Sequence, residues 1–119
     1  MLRYDLIKTI LDKSNSSPIV SNLGPTSDEL WQATNELELH PRNRNFYTYG
    51  SMGLCSSIAL GIAINTSEKV ISIDGDGSLL MNLGTLSTIG RVSPVNLIII
   101  VCDNEMWAQT GYQLSLIHI

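Results

Sequence analysis

Two rhythms of apolar and polar residues alternate along the 119-residue chain. Tyr4 to Leu11 places Leu6, Ile7, Ile10 and Leu11 at helical spacing. A polar linker, Ser14 to Ser17, separates it from Pro18–Leu23, which reads as a short strand. Gly24-Pro25-Thr26-Ser27 then turns the chain, and Thr26 with Glu29 forms a capping box for a helix running through Leu37. His40 to Asn45 is a polar loop in which His40 is read as structural, and Phe46–Tyr49 is a short strand. Gly50-Ser51-Met52-Gly53 opens an apolar helix carrying Ile58, Ala59, Ile62 and Ala63, with Ser56, Ser57 and Gly61 small enough for close packing.

The densest signal lies between residues 70 and 104. Val70–Ile73 is a short strand that ends abruptly at Asp74-Gly75-Asp76-Gly77. Leu79, Leu80, Leu83, Leu86 and Ile89 fall at helical spacing, predicting one helix over Leu79–Arg91 that Ser93-Pro94 breaks. Asn96–Cys102 is apolar after its first residue, as a strand buried on both faces should be, and it ends at Asp103-Asn104. Strand, helix, strand makes a βαβ unit with parallel strands. Both strands then finish at one sheet edge, where neighbouring strands lie about 4.8 Å apart. Asp76 and Asn104, 28 positions apart in sequence, are therefore expected to be neighbours in space.

That pairing has a chemical use. Mg2+ prefers oxygen ligands in octahedral array, shared between one or two protein groups and phosphate oxygens. The Asp76 carboxylate and the Asn104 amide oxygen suit it. Gly75 and Gly77 allow backbone to approach an anion, and Ser78 is placed at a helix start, where free N–H groups converge. Ligands of open parallel sheets bind at this edge. A diphosphate with its metal meets every requirement. A calcium loop through Asp74, Asp76 and Ser78 does not: Leu79 follows where such loops need Gly, and no helix precedes.

Gly75-Asp76-Gly77, then 25 residues (Ser78 to Cys102), then Asp103-Asn104 resembles the cofactor motif of the thiamine-diphosphate enzymes. Asp103 stands where that pattern usually has its first Asn. The resemblance implies a three-layer, doubly wound α/β fold with a mainly parallel sheet. It implies thiamine diphosphate and Mg2+ as cofactors, with the metal held by Asp76, the Asn104 side chain and the Met106 carbonyl. Carried over residue by residue, Thr26 and Ser27 lie by the cofactor phosphates, and the Gly50 carbonyl accepts a hydrogen bond from the aminopyrimidine. Within the Gly50-Ser51-Met52 turn, Met52 wedges beneath the bent cofactor. Gly75, Asp76, Gly77, Ser78 and Asn104 complete the set. Met106 to Gln113 lines the substrate side, with no firm role for Gln109 or Gln113, and Trp107 is read as packing.

Within the superfamily, TYGSMGLCSSIALGIAI and NLGPTSDELW are most similar to phosphonopyruvate decarboxylases and the β subunits of sulfopyruvate decarboxylases. The resemblance implies decarboxylation of a small 2-oxo acid, with the thiazolium ring as electron sink. It also implies a separate pyrimidine-binding α subunit that brings the activating Glu, so a hetero-oligomer is expected and no catalytic residue is assigned here. Two alternatives stand beside it. One is another enzyme of the superfamily, acetolactate-synthase-like or a 2-oxo acid oxidoreductase. The other is a non-catalytic diphosphate-binding module; no Gly-x-Gly-x-x-Gly opens a helix after a strand, which disfavours a dinucleotide.

Composition narrows the class further. With 44% hydrophobic and 15% charged residues, the chain has the make-up of one globular domain. A net charge of -4 and seven scattered basic residues argue against nucleic acid, Arg42 and Arg44 being explained by a solvated loop. No stretch is long enough for a membrane span, and Met1-Leu2-Arg3-Tyr4-Asp5 lacks an apolar signal region, so a cytoplasmic location is expected. Cys55 and Cys102 fall in apolar contexts as reduced core residues, and the acceptor patterns at Asn15 and Asn65 carry no meaning without secretion. Leu114-Ser115-Leu116-Ile117-His118-Ile119 reads as the translation of a transposon end used in preparing sequencing libraries. The expectation is an incomplete cofactor domain over 1–113 and an adaptor artefact over 114–119.

Overall fold

A computed structural model describes residues 2–37 and 41–115. His40 and residues 116–119, His118 among them, lie outside the described residues. The chain runs α1 (Arg3–Lys13), β1 (Ile19–Ser21), α2 (Pro25–Leu37), β2 (Asn45–Tyr47), α3 (Cys55–Ala63), β3 (Val70–Gly75), α4 (Asp76–Met81), α5 (Gly84–Val92), β4 (Leu97–Cys102), β5 (Met106–Trp107) and β6 (Gln113–Leu114). The main sheet is parallel throughout, in the order β2-β1-β3-β4.

Alternation along the strands divides the core into two layers. Ile19, Ile71 and Ile73 face α1 and α2, meeting Ile7, Ile10, Leu11, Leu30 and Ala33. Val20 and Val70 face the other way, onto Cys55, Ala59 and Ala63 of α3. Burying each of these large aliphatic side chains contributes about 2 kcal/mol. The result is a three-layer α/β sandwich of helices, sheet and helix.

The order of the strands sets the position of the site. From β1 the chain passes through α2 to β2 on one side; from β3 it passes to β4 on the other, through helices joined to α3 by Ser57–Thr85 and Ser57–Asn82 hydrogen bonds. The winding therefore reverses between β1 and β3. Beyond their carboxyl ends the two following segments part, leaving the crevice where sheets of this kind bind ligands.

Several elements depart from the sequence expectation. The helix expected over Leu79–Arg91 is two, beginning earlier at Asp76 and interrupted at Asn82-Leu83. Asn82 leaves helical geometry (φ -141°, ψ 47°) because its Nδ2 donates to the Gly53 carbonyl at 3.0 Å. No Thr26–Glu29 capping box forms. Pro25 is already helical, the Ser27 and Asp28 N–H groups bond the Gly24 carbonyl, and Glu29 is held by Arg3 at 2.7 and 2.9 Å. Arg44 is not merely solvated: it pairs with Glu68 and donates to the Ser16 carbonyl at 3.0 Å, tying β2 to the β1 and β3 approaches. Finally, β4 is the sheet's outer strand among the described residues, so Ile98 and Val101 are 44% and 37% exposed instead of buried.

Candidate functional site

An open cavity of about 700 Å³ lies at the carboxyl edge of the sheet. The β3–β4 register runs from Val70↔Leu97 to Gly75↔Cys102, so the Asp76 and Asp103-Asn104 segments leave the sheet side by side. Of the residues singled out in the sequence, Thr26, Met52, Gly75, Asp76, Gly77, Ser78, Asn104 and Met106 line this one cavity. Ser27, Gly50 and Ser51 are not among its walls.

Asp76, the first residue of α4, is 2% exposed, and its Oδ2 has no hydrogen-bond partner among the described residues. A buried carboxylate oxygen without a donor costs roughly 1–3 kcal/mol or more. A cation at that point would remove the cost. Across the cavity, Asn104 Oδ1 accepts the Met106 N–H at 3.2 Å, and Asp103 Oδ1 accepts the Glu105 N–H at 2.9 Å. These turns hold Glu105 in the left-handed region (φ 62°), a strained conformation for a side-chain-bearing residue. An amide oxygen has two lone pairs, so Asn104 retains one for a metal.

The walls behind these groups are polar and tied down. Asp74 is buried, with Oδ2 accepting from Ser56 Oγ at 3.0 Å and Oδ1 from the Gly75 N–H at 3.0 Å. Burial pushes its carboxyl above the usual range, and the Ser56 hydrogen bond opposes that rise. Ser78 is a second tie: its Oγ bonds Asp74 and accepts the Gly53 N–H at 2.9 Å. Ser78 also stands in the first turn of α4, where backbone N–H groups lack intrahelical partners. Gly50 (exposed), Ser51 and Met52 belong to the turn that Ser78 and Asn82 clamp through Gly53. Ser27 points inward: its Oγ donates to the Asn22 carbonyl at 2.6 Å and meets Ser21 Oγ at 2.8 Å.

Of three further lining residues, Trp107 was read as packing and Gln109 had no firm role, while Asn22 had none. A Cβ on Gly77 would lie 3.1 Å from the Trp107 ring, and one on Gly24 would lie 2.5 Å from Gln109 Oε1. The β5–β6 hairpin thus rests on both glycine turns. A Cβ on Gly75 would stand 3.1 Å from Asn22 Nδ2, so the missing side chain there makes room for an amide. The one signal for Asn22 was its place directly after a predicted strand, at the sheet edge shared with Asp76.

The family model for "Thiamine pyrophosphate enzyme, C-terminal TPP binding domain" matches residues 27–118. The chain belongs to that family. Among curated relatives of this thiamine-pyrophosphate-binding domain, the β subunit of sulfopyruvate decarboxylase from Methanocaldococcus jannaschii is 51% identical over 112 residues, covering 93% of this chain and 56% of that protein. A sulfopyruvate decarboxylase from Methanosarcina acetivorans is 45% identical, covering 95% of this chain and 28% of that protein. A phosphonopyruvate decarboxylase from Streptomyces viridochromogenes is 37% identical, covering 93% and 26%. The chain thus spans little more than half the length of the first of these and about a quarter of the others.

The residues present fit thiamine diphosphate with a divalent cation. The unpaired Asp76 oxygen, the Asn104 amide oxygen and Met106 supply hard oxygen donors, and the Gly75–Gly77 backbone borders the same space. Among the described residues no helix is long and apolar enough to cross a membrane.

Proposed function

We propose that this chain is the diphosphate-binding part of a thiamine-diphosphate- and Mg2+-dependent 2-oxo acid decarboxylase. Its substrate is a small 2-oxo acid with a terminal tetrahedral anion, sulfopyruvate first and phosphonopyruvate second. It works with a pyrimidine-binding α subunit that brings the activating Glu. The observation that carries the reading is the buried, unpartnered Oδ2 of Asp76 in a cavity shared with Asn104 and Met106. Asp76, the Asn104 side chain and the Met106 carbonyl hold Mg2+, while Thr26 and the Gly75–Ser78 segment border the diphosphate. Gly50, Ser51 and Met52 form the turn under the middle of the cofactor, with Ser27 behind the diphosphate wall. The bound cofactor supplies an electron sink for loss of carbon dioxide; the chain's own share is positioning and electrostatics.

The order of substrates rests on identity, 51% to a sulfopyruvate decarboxylase β subunit against 37% to a phosphonopyruvate decarboxylase. The α-subunit partner rests on that first relative being a β subunit. Both cysteines are free, as a reducing cytoplasm keeps them.

The test uses the full-length protein assembled with its partner. Asp76→Ala should weaken Mg2+-dependent thiamine diphosphate binding by at least roughly 100-fold, and Asn104→Ala by roughly 10-fold or more, read by calorimetric titration. Aldehyde formation from sulfopyruvate and from phosphonopyruvate identifies the substrate. Unchanged cofactor affinity in both variants rejects the metal site, and no aldehyde from either acid rejects the decarboxylase.

A further inference from the structure

The polar side chain least accounted for at this edge is Asn22. It is 8% exposed, it lines the cavity, and its Oδ1 is buried without a hydrogen-bond partner among the described residues. Its backbone is fixed on both sides, the N–H donating to the Ile73 carbonyl at 2.8 Å and the carbonyl accepting from Ser27 Oγ at 2.6 Å. Nδ2 lies over Gly75, at 3.1 Å from where a Cβ would be. Asn22 follows β1 directly and Gly75 ends β3, so the amide stands at the point where the winding of the sheet reverses. Such an amide is held by its backbone and largely dry, and the atom it presents over Gly75 is the donor Nδ2.

The cavity offers little cationic charge to a diphosphate. Arg3 is the only Lys or Arg among its described walls, and its guanidinium is engaged by both carboxylate oxygens of Glu29. A diphosphate is acceptor-only when ionised, so beyond its metal it must be met here by neutral N–H and O–H donors. An amide N–H serves this without competing for the cation, as a carboxylate would.

We propose that Asn22 is a further binding residue for the cofactor's diphosphate, donating from Nδ2 to a phosphate oxygen beside Gly75. The proposal rests on the thiamine diphosphate reading above and adds a contact from a different strand. Ser27 then acts through Asn22, as the residue that holds its carbonyl.

The test measures the affinity of thiamine diphosphate, and separately of inorganic pyrophosphate, each with Mg2+, in the full-length assembled protein and its variants. Asn22→Ala should lose roughly 10- to 100-fold for both ligands, the range of a hydrogen bond to a charged group. Asn22→Asp, which exchanges the donor for a negative charge, should lose more. The thermal midpoint of cofactor-free Asn22→Ala should stay within about 2 °C of the parent. Asn22→Ser, smaller but still a donor, guards against a folding failure and should fall between parent and Ala. Parent-like affinity in Asn22→Ala overturns the proposal, as does parent-like affinity in Asn22→Asp. So does a loss confined to thiamine diphosphate, because the contact would then be to the organic part of the cofactor. If the parent itself binds neither ligand, the thiamine diphosphate reading fails and this contact with it; if the parent binds and the variants match it, only the role of Asn22 fails.

Discussion

Cys55 has no exposed surface, and its thiol lies 3.3 Å from the Val20 carbonyl and 3.2 Å from Ser72 Oγ. Burial is the main cause pushing its pKa up to about 12, only partly offset by the Ser72 hydrogen bond. For an acid whose folded pKa is raised, the associated stability is complete below the unfolded value, about 8.5 to 9, and is lost as pH climbs toward 12. Native protein at pH 8 should therefore leave Cys55 unmodified by a disulfide reagent over an hour, while denatured protein should react at both cysteines. A thiol count with and without urea decides it. The same physics separates what could be read at single residues from what could not. Asp76 and Asn104 were legible because motif spacing and parallel strands place them at one edge. Asn22 was not, because an isolated Asn after a strand looks the same in sequence whether its amide is solvated or dry. Only the packing of Gly75 against it makes the difference.

At the level of elements, Ser56 on α3 and Asp74 on β3 join the two layers beneath the cavity through a buried 3.0 Å hydrogen bond. Ser56→Ala leaves the Asp74 oxygen without that donor and should destabilise the protein by about 1–3 kcal/mol, seen as a lower urea midpoint with an unchanged slope. A smaller loss would mean that water replaces the hydroxyl. Periodicity marked α1, α3 and the apolar strands, since those patterns are set by the local 3.6 and 2.0 repeats, while α2 was expected from its turn and cap. It did not mark the break between α4 and α5. Leu79, Leu80, Leu83, Leu86 and Ile89 fit one helix, yet Asn82 is drawn out of it by the Gly53 carbonyl, 29 residues away. The start of α2 failed for a related reason: Glu29, free to cap in a local reading, is taken by Arg3 from α1.

For the whole molecule, the notable surface is the outer edge of the sheet among the described residues. Ile98 and Val101 of β4 are part-exposed, as are Leu83, Leu86 and Val92 around α5. Apolar strand edges template association. The 119-residue chain expressed by itself should sediment as a concentration-dependent mixture, and Ile98→Thr with Val101→Thr should shift it toward monomer. Monodisperse behaviour of the unmodified chain would contradict this. The amino-acid sequence by itself determined the α/β class, the parallel strands and the placing of Asp76 and Asn104 at one sheet edge, because repeat period and motif spacing are local quantities carried in the chain. Tertiary structure alone decided which buried oxygens remained unpaired, where the long helix broke, and that Trp107, Gln109 and Asn22 fill the space above three glycines. Those outcomes depend on distances between residues far apart in sequence, and no local pattern encodes a distance.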